Sequence, residues 1–130
     1  MRELAKRWLS YATTDLRVCE HLLGSDGLES GIAFHAQQAI EKSYKAILVY
    51  HDQDPPRIHD LTRLASLVSE HVEDRVSDLD LLDRISQYYI QSRYPLMMET
   101  KDAPEPDTDA VESMVSHAKA ILAFARSKTG

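Results

Sequence analysis

Residues 32–51 read IAFHAQQAIEKSYKAILVYH, and the spread of apolar side chains along them decides the fold. At about 3.6 residues per turn, Ile32, Ala33, Ala36, Ala39, Ile40, Tyr44, Ala46, Ile47 and Tyr50 cover well over half of a helix circumference. A helix so covered must be enclosed by other elements, so the stretch predicts a central and most buried helix. The remaining arc holds Gln37, Gln38, Glu41, Lys42 and Lys45, interleaved with Phe34 and Leu48. Even its polar side is therefore not a plain solvent face.

The flanking sequence supplies the enclosure. Met1, Ala5, Trp8, Ala12, Leu16, Cys19 and Leu23 recur at helical spacing, predicting a first helix over residues 2–23 that Gly24 is placed to end. SDGLESG, residues 25–31, is a turn-rich connector in which Ser30 can cap the central helix. Beyond it, DQDPPR at 52–57 interrupts the pattern, and Asp60 is placed to cap a third helix with Leu61, Leu64, Leu67 and Val68 inward. VSDLDLLDRISQYYIQS predicts a fourth helix starting near Ser77. Pro95 ends it by pushing Tyr94 off helical angles. A loop with Pro104 and Pro106 leads to a fifth helix, Thr108 to Ser127, whose inner side carries Val111, Met114, Val115, Ala118, Ile121, Leu122 and Ala125. With no period-two strand and no internal repeat, the expectation is an all-α antiparallel bundle of about five helices, forming one domain over residues 1–130.

Composition narrows the function classes. A chain of 130 residues suits a single core. The lone Cys19 forms no intramolecular disulfide, and MRELAKRWLSY mixes charges into what would be the apolar part of a secretion signal, so a cytoplasmic protein is expected. The longest run without a polar side chain, AILVY at 46–50, is far short of the roughly 20 residues of a spanning helix, which predicts no membrane segment. A net charge of −6 argues against a broad nonspecific nucleic-acid surface, yet leaves room for a small basic cleft. Much of the negative excess falls in ETKDAPEPDTDAVE, residues 99–112, beside whatever Arg93 faces. No Cys-x-x-Cys, His-Glu-x-x-His or phosphate-cradling glycine loop is present, so neither metal nor cofactor is expected. Of the six dispersed histidines, His35 and His51 read as surface or packing residues. His59 stands apart because it precedes a helix start, where anions are attracted, although a structural role also fits it.

Three inward charges then need explanation. Asp15 falls near the middle of the apolar stripe through Trp8, Ala12 and Cys19, where an unpaired carboxylate costs several kcal/mol, of order 3 to 5. It requires a partner from Lys42, Lys45, His59 or Arg93. On the central helix Glu41, Lys45 and Gln38 cluster around Phe34. They form either a solvated i, i+4 pair or part of a polar network running from Asp15 towards Arg93. Arg93 itself, in YYIQSRYP at 88–95, shares a helical stripe with Leu79, Leu82 and Tyr89. It is either a cation complementing the helix dipole or a guanidinium held for a carboxylate or phosphate, with Tyr94 and Tyr89 able to stack beside it.

Taken in order, WLSYATTDLRVCEHLL, FHAQQAIEKSYKAIL, IHDLTRL and SRYP resemble the HEPN domain over nearly the whole chain. The resemblance implies a helical bundle that commonly dimerises, with the polar groups of the central helix and the late arginine near a cleft between subunits. It also implies nucleotide or RNA binding and a nucleotidyltransferase partner, in some cases as a toxin–antitoxin pair. The matching positions are Asp15, Gln38, Glu41, Lys42, Lys45, His59, Arg93 and Tyr94.

One departure bears on activity. In the family that this chain resembles, RNA-cutting members carry a histidine separated from the arginine by four to six intervening residues, whereas that window here holds Met98, Glu99 and Thr100. The next histidine is His117, in the last helix. The sequence therefore predicts a module that binds nucleotide, RNA phosphate or a nucleotidyltransferase without cleaving RNA. Two alternatives stay open: an RNase toxin with a variant site of Arg93 and His59, and a purely structural interaction module.

Overall fold

The computed structural model describes residues 2–93 and 106–130, with side chains in the fourth helix described as far as Tyr88. Five α-helices follow in chain order: α1 (Arg2–Leu22), α2 (Glu29–Tyr50), α3 (Leu61–Ser69), α4 (Leu79–Arg93) and α5 (Thr108–Lys128). Among the described residues there is no strand. Among those residues, too, no helix is long and apolar enough to cross a membrane. The all-α architecture matches the expectation.

The central helix is α2, which packs on α1, α3, α4 and α5. Ile32, Ala36, Ala39, Ile40, Tyr44, Ile47 and Val49 are wholly or almost wholly buried along it. Small residues on one side of a helix let neighbours approach closely, while the large ones fill the spaces between. Around this axis α1 contributes Ala12, Leu16 and Cys19, α3 contributes Leu61, Leu64 and Val68, and α5 contributes Val111, Met114, Ile121 and Leu122.

Local chemistry sets the helix ends. Gly24, at φ 88°, takes the left-handed conformation that stops α1. Asp60 caps α3 by accepting from the Thr62 and Arg63 amides, and Asp107 caps α5 by accepting from Ala110 N at 2.8 Å. One start signal in the sequence does not act as a start. Ser30 lies inside α2, whose first flanking residue is Leu28 with no side-chain cap, so this helix is stabilised by burial rather than by a hydroxyl. The fourth helix does begin near Ser77, at Leu79, and Ser77 itself is engaged just before it: its Oγ donates to Asp74 Oδ2 and its amide to Asp74 Oδ1, while Tyr44 OH bonds the same Oγ. Asp78, accepting from Leu81 N, takes the capping place instead.

On α4, Leu82, Ile85 and Ser86 face inward, whereas Leu79, expected on the same stripe, is exposed. The side chains of Tyr89 and Arg93, the whole of Tyr94 and the acidic stretch through residue 105 lie outside the described residues. His51 has the packing role expected of it, stacking on His71 with ring centroids 5.1 Å apart.

On α5, burial pushes the His117 imidazole below its ordinary pKa, opposed by the nearby Asp78 and Asp74 carboxylates, and its Nε2 is buried without a hydrogen-bond partner among the described residues. A histidine whose folded pKa is lowered takes up its proton more readily in the unfolded chain. Stability is then retained above the unfolded pKa of about 6.5 and lost as pH falls below it. Replacing His117 with Gln should flatten the loss of urea midpoint between pH 7 and pH 5, and an unchanged slope would show that His117 does not set it.

Candidate functional site

The polar arc of α2 is buried rather than solvated. Glu41 lies under the C-terminal end of the connector between α2 and α3, its side chain only 5% exposed. Three groups converge on its carboxylate. Lys45 Nζ donates to Oε2 at 3.1 Å, Gln37 Nε2 donates to Oε1 at 3.2 Å, and His59 Nδ1 lies 2.7 Å from Oε1. Gln37, fully buried, also donates to the His59 carbonyl at 3.2 Å and accepts from Gln38 Nε2 at 2.7 Å. The glutamine pair thus fixes both the carboxylate and the backbone that carries the histidine.

This arrangement follows from position on the helix. Gln37, Glu41 and Lys45 are successive i, i+4 neighbours, so they lie one above another on one face. An ionised carboxylate at this depth is tolerated because every side of it has a donor. His59 reaches it from the residue before the Asp60 cap, and the imidazole remains 52% exposed. With a carboxylate as acceptor, Nδ1 carries a proton and donates a hydrogen bond to Glu41 Oε1.

Ser86 ties α4 to the same corner, its Oγ accepting from Leu61 N at 3.1 Å. About two helical turns beyond Ser86, α4 ends at Arg93. Backbone thus brings position 93 to the end of a helix anchored next to His59, while the contacts of its side chain and of Tyr94 are outside the described residues.

A second charged group lies where α1 meets α2. Asp15 is buried in the α1 stripe as expected, and of its four candidate partners the described contacts are with Lys42, whose Nζ stands 2.6 Å from Oδ2. The other carboxylate oxygen receives His35 Nδ1 at 2.8 Å. His35 is therefore not merely a surface or packing residue. It lies seven positions before Lys42, on the same helical face, and that spacing is the signal by which it could have been found.

The expected site residues thus divide into two groups on adjacent faces of α2. Gln38, Glu41, Lys45 and His59 form one, and Asp15 and Lys42 form the other. The two lysines differ in access: the Lys42 side chain is 24% exposed and the Lys45 side chain 8%. Both lie near aromatic rings of α1, with Lys42 Nζ 6.0 Å from the Tyr11 centroid and Lys45 Nζ 5.7 Å from that of Trp8. Among the described residues no three His, Cys, Asp or Glu side chains converge as a metal set.

Comparison with known proteins gives this geometry a context. The model of the HEPN domain matches residues 5–128. In structure the chain is similar to TT1696 from Thermus thermophilus, with a TM-score of 0.74 and 26% identity across 95% of this chain and 97% of that one. It is also similar to ST0689, an archaeal HEPN homologue, with a TM-score of 0.73 and 20% identity across 97% and 98% of the two chains. No protein of curated function matches the sequence.

The burial of Glu41 and Lys45 carries an energetic consequence. Replacing Glu41 with Ala leaves an uncompensated buried ammonium and should cost about 3–5 kcal/mol. Combining Glu41→Leu with Lys45→Met should recover most of that loss. Urea unfolding of the three proteins checks both statements, and a loss under about 1 kcal/mol for Glu41→Ala would mark the pair as solvated.

Proposed function

The chain belongs to the HEPN domain family, and from that premise we propose that it is a dimeric module that binds the phosphate of a nucleotide or RNA. In this reading it acts with a nucleotidyltransferase partner, as one member of a toxin–antitoxin pair. The observation that carries the proposal is the Glu41 network, in which a buried carboxylate and two glutamines hold a half-exposed histidine at the mouth of the polar face. A merely structural network has no need of an imidazole that is 52% exposed. A recognition surface is served by one, because a ring already held in place loses little further side-chain entropy on binding.

Within this reading the residues divide by access. His59, Arg93 and Tyr94 are the phosphate-facing groups, with Gln38 at their margin. Lys42 joins them from the α1 side. Lys45, enclosed against Glu41, supplies the counter-charge that keeps the network ionised. Titration of nucleotides and short RNA should show saturable binding by the wild type, weakened about tenfold or more by Arg93→Ala, since a charge-assisted hydrogen bond contributes about 1.5–3 kcal/mol. Absence of binding by the wild type, together with failure to recover a nucleotidyltransferase from cells, would sink the proposal.

The His59–Glu41 bond favours a second reading as well. A carboxylate that fixes an imidazole through Nδ1 is the arrangement used to orient a general base. In that reading His59 transfers the proton during RNA cleavage, in place of the histidine absent after Arg93, and Arg93 stabilises phosphate charge. Metal-independent cleavage of structured RNA in the presence of chelator, lost on His59→Ala, is its expected outcome. Intact RNA after prolonged incubation at high protein concentration would dismiss it.

A further inference from the structure

The Asp15 group lies against an aromatic ring that the bundle leaves uncovered. Tyr11, one turn before Asp15 on α1, is 53% exposed. Lys42 Nζ stands 6.0 Å from its ring centroid, and the same ammonium is 2.6 Å from Asp15 Oδ2. His35, held through Nδ1 on the other oxygen of that carboxylate, has a side chain 32% exposed. One buried carboxylate therefore orients two partly accessible nitrogen-bearing groups beside one accessible aromatic face.

We infer that Tyr11 and Lys42 form a subsite for an unpaired nucleotide, its base stacked on Tyr11 and its phosphate taken by Lys42, with His35 helping to hold the Asp15 carboxylate that positions the ammonium. The inference rests on the phosphate-binding reading above and extends it onto α1. An ammonium has three donors, and only one is needed by Asp15, so Lys42 can serve the carboxylate and a phosphate together. Its stem and Asp15 also fix where the charge stands, which a free surface lysine would not do. Aromatic rings flanked by cations are the usual means of holding single-stranded nucleic acid without reading its sequence.

The competing occupant of an exposed tyrosine is a second copy of the chain. Interface cores are depleted in charge, whereas this ring is bordered by an ammonium, an imidazole and a carboxylate, which favours the polar ligand.

The test uses three probes, adenosine monophosphate, a six-residue adenylate RNA and inorganic tripolyphosphate, against the wild type, Tyr11→Ala and Tyr11→Phe. Titration calorimetry reads the affinities, and fluorescence of Trp8, the chain's single tryptophan, reports events on α1. Tyr11→Ala should weaken the two base-bearing probes about tenfold or more and leave tripolyphosphate unchanged, while Tyr11→Phe should bind all three like the wild type. Lys42→Gln should weaken all three. Equal RNA affinity for the wild type and Tyr11→Ala, with tripolyphosphate still bound, would overturn the stacking inference while sparing the phosphate reading. A change in oligomeric mass on Tyr11→Ala without a change in RNA affinity would assign the ring to a protein interface instead. Binding of no probe by the wild type would overturn both readings together.

Discussion

The charge on Glu41 is the constraint to which the rest of the polar face answers. A carboxylate on the most buried helix of a small bundle is stable only if its desolvation is offset on all sides, and offsetting it commits residues from separate parts of the chain. Lys45 and Gln37 come from the turns above and below. His59 must come from the far side of the proline-marked connector, so the path of residues 52–60 is tied to the ionisation of one side chain. The hydrogen bond from Gln37 to the His59 carbonyl strengthens the link by fixing backbone as well as ring.

The same logic explains why α1 and α2 pack so closely despite an aspartate in their interface. Asp15 is accepted there because Lys42 and His35 meet it from one face of α2. A bare apolar contact would bury as much surface. It would not fix the rotation of α1 about its own axis, because apolar side chains pack acceptably in several registers. Hydrogen bonds of 2.6 and 2.8 Å to the two oxygens of one carboxylate leave far less freedom.

What is legible in the sequence and what is not follows from range. The burial of α2 is readable because nearly every turn of it repeats the same apolar signal, and the cap at Asp60 because it depends on amides two and three residues away. The need of Asp15 for a partner is readable from its own helix. The identity of that partner is not, since it depends on how two helices are rotated against each other. His35 reads as a surface or packing residue for the same reason. Ser30 carries the right hydroxyl for a cap, but burial sets the start of α2, and such competition is settled only in three dimensions.

The two lysines of the QQ-x-x-EK-x-x-K run show how similar residues come to different duties. Both are paired to a carboxylate and both lie near an aromatic ring of α1, so charge and sequence context do not separate them. Access does. Lys45 is enclosed, and drawing its ammonium towards a ligand would strand Glu41 and release His59 with it. Lys42 stands at the rim of its pair and can take a third partner while Asp15 remains bonded. Lys42 is therefore reached from the α1 side and His59 from the α3 side, while Lys45 is the fixed charge that keeps Glu41, and through it His59, in place.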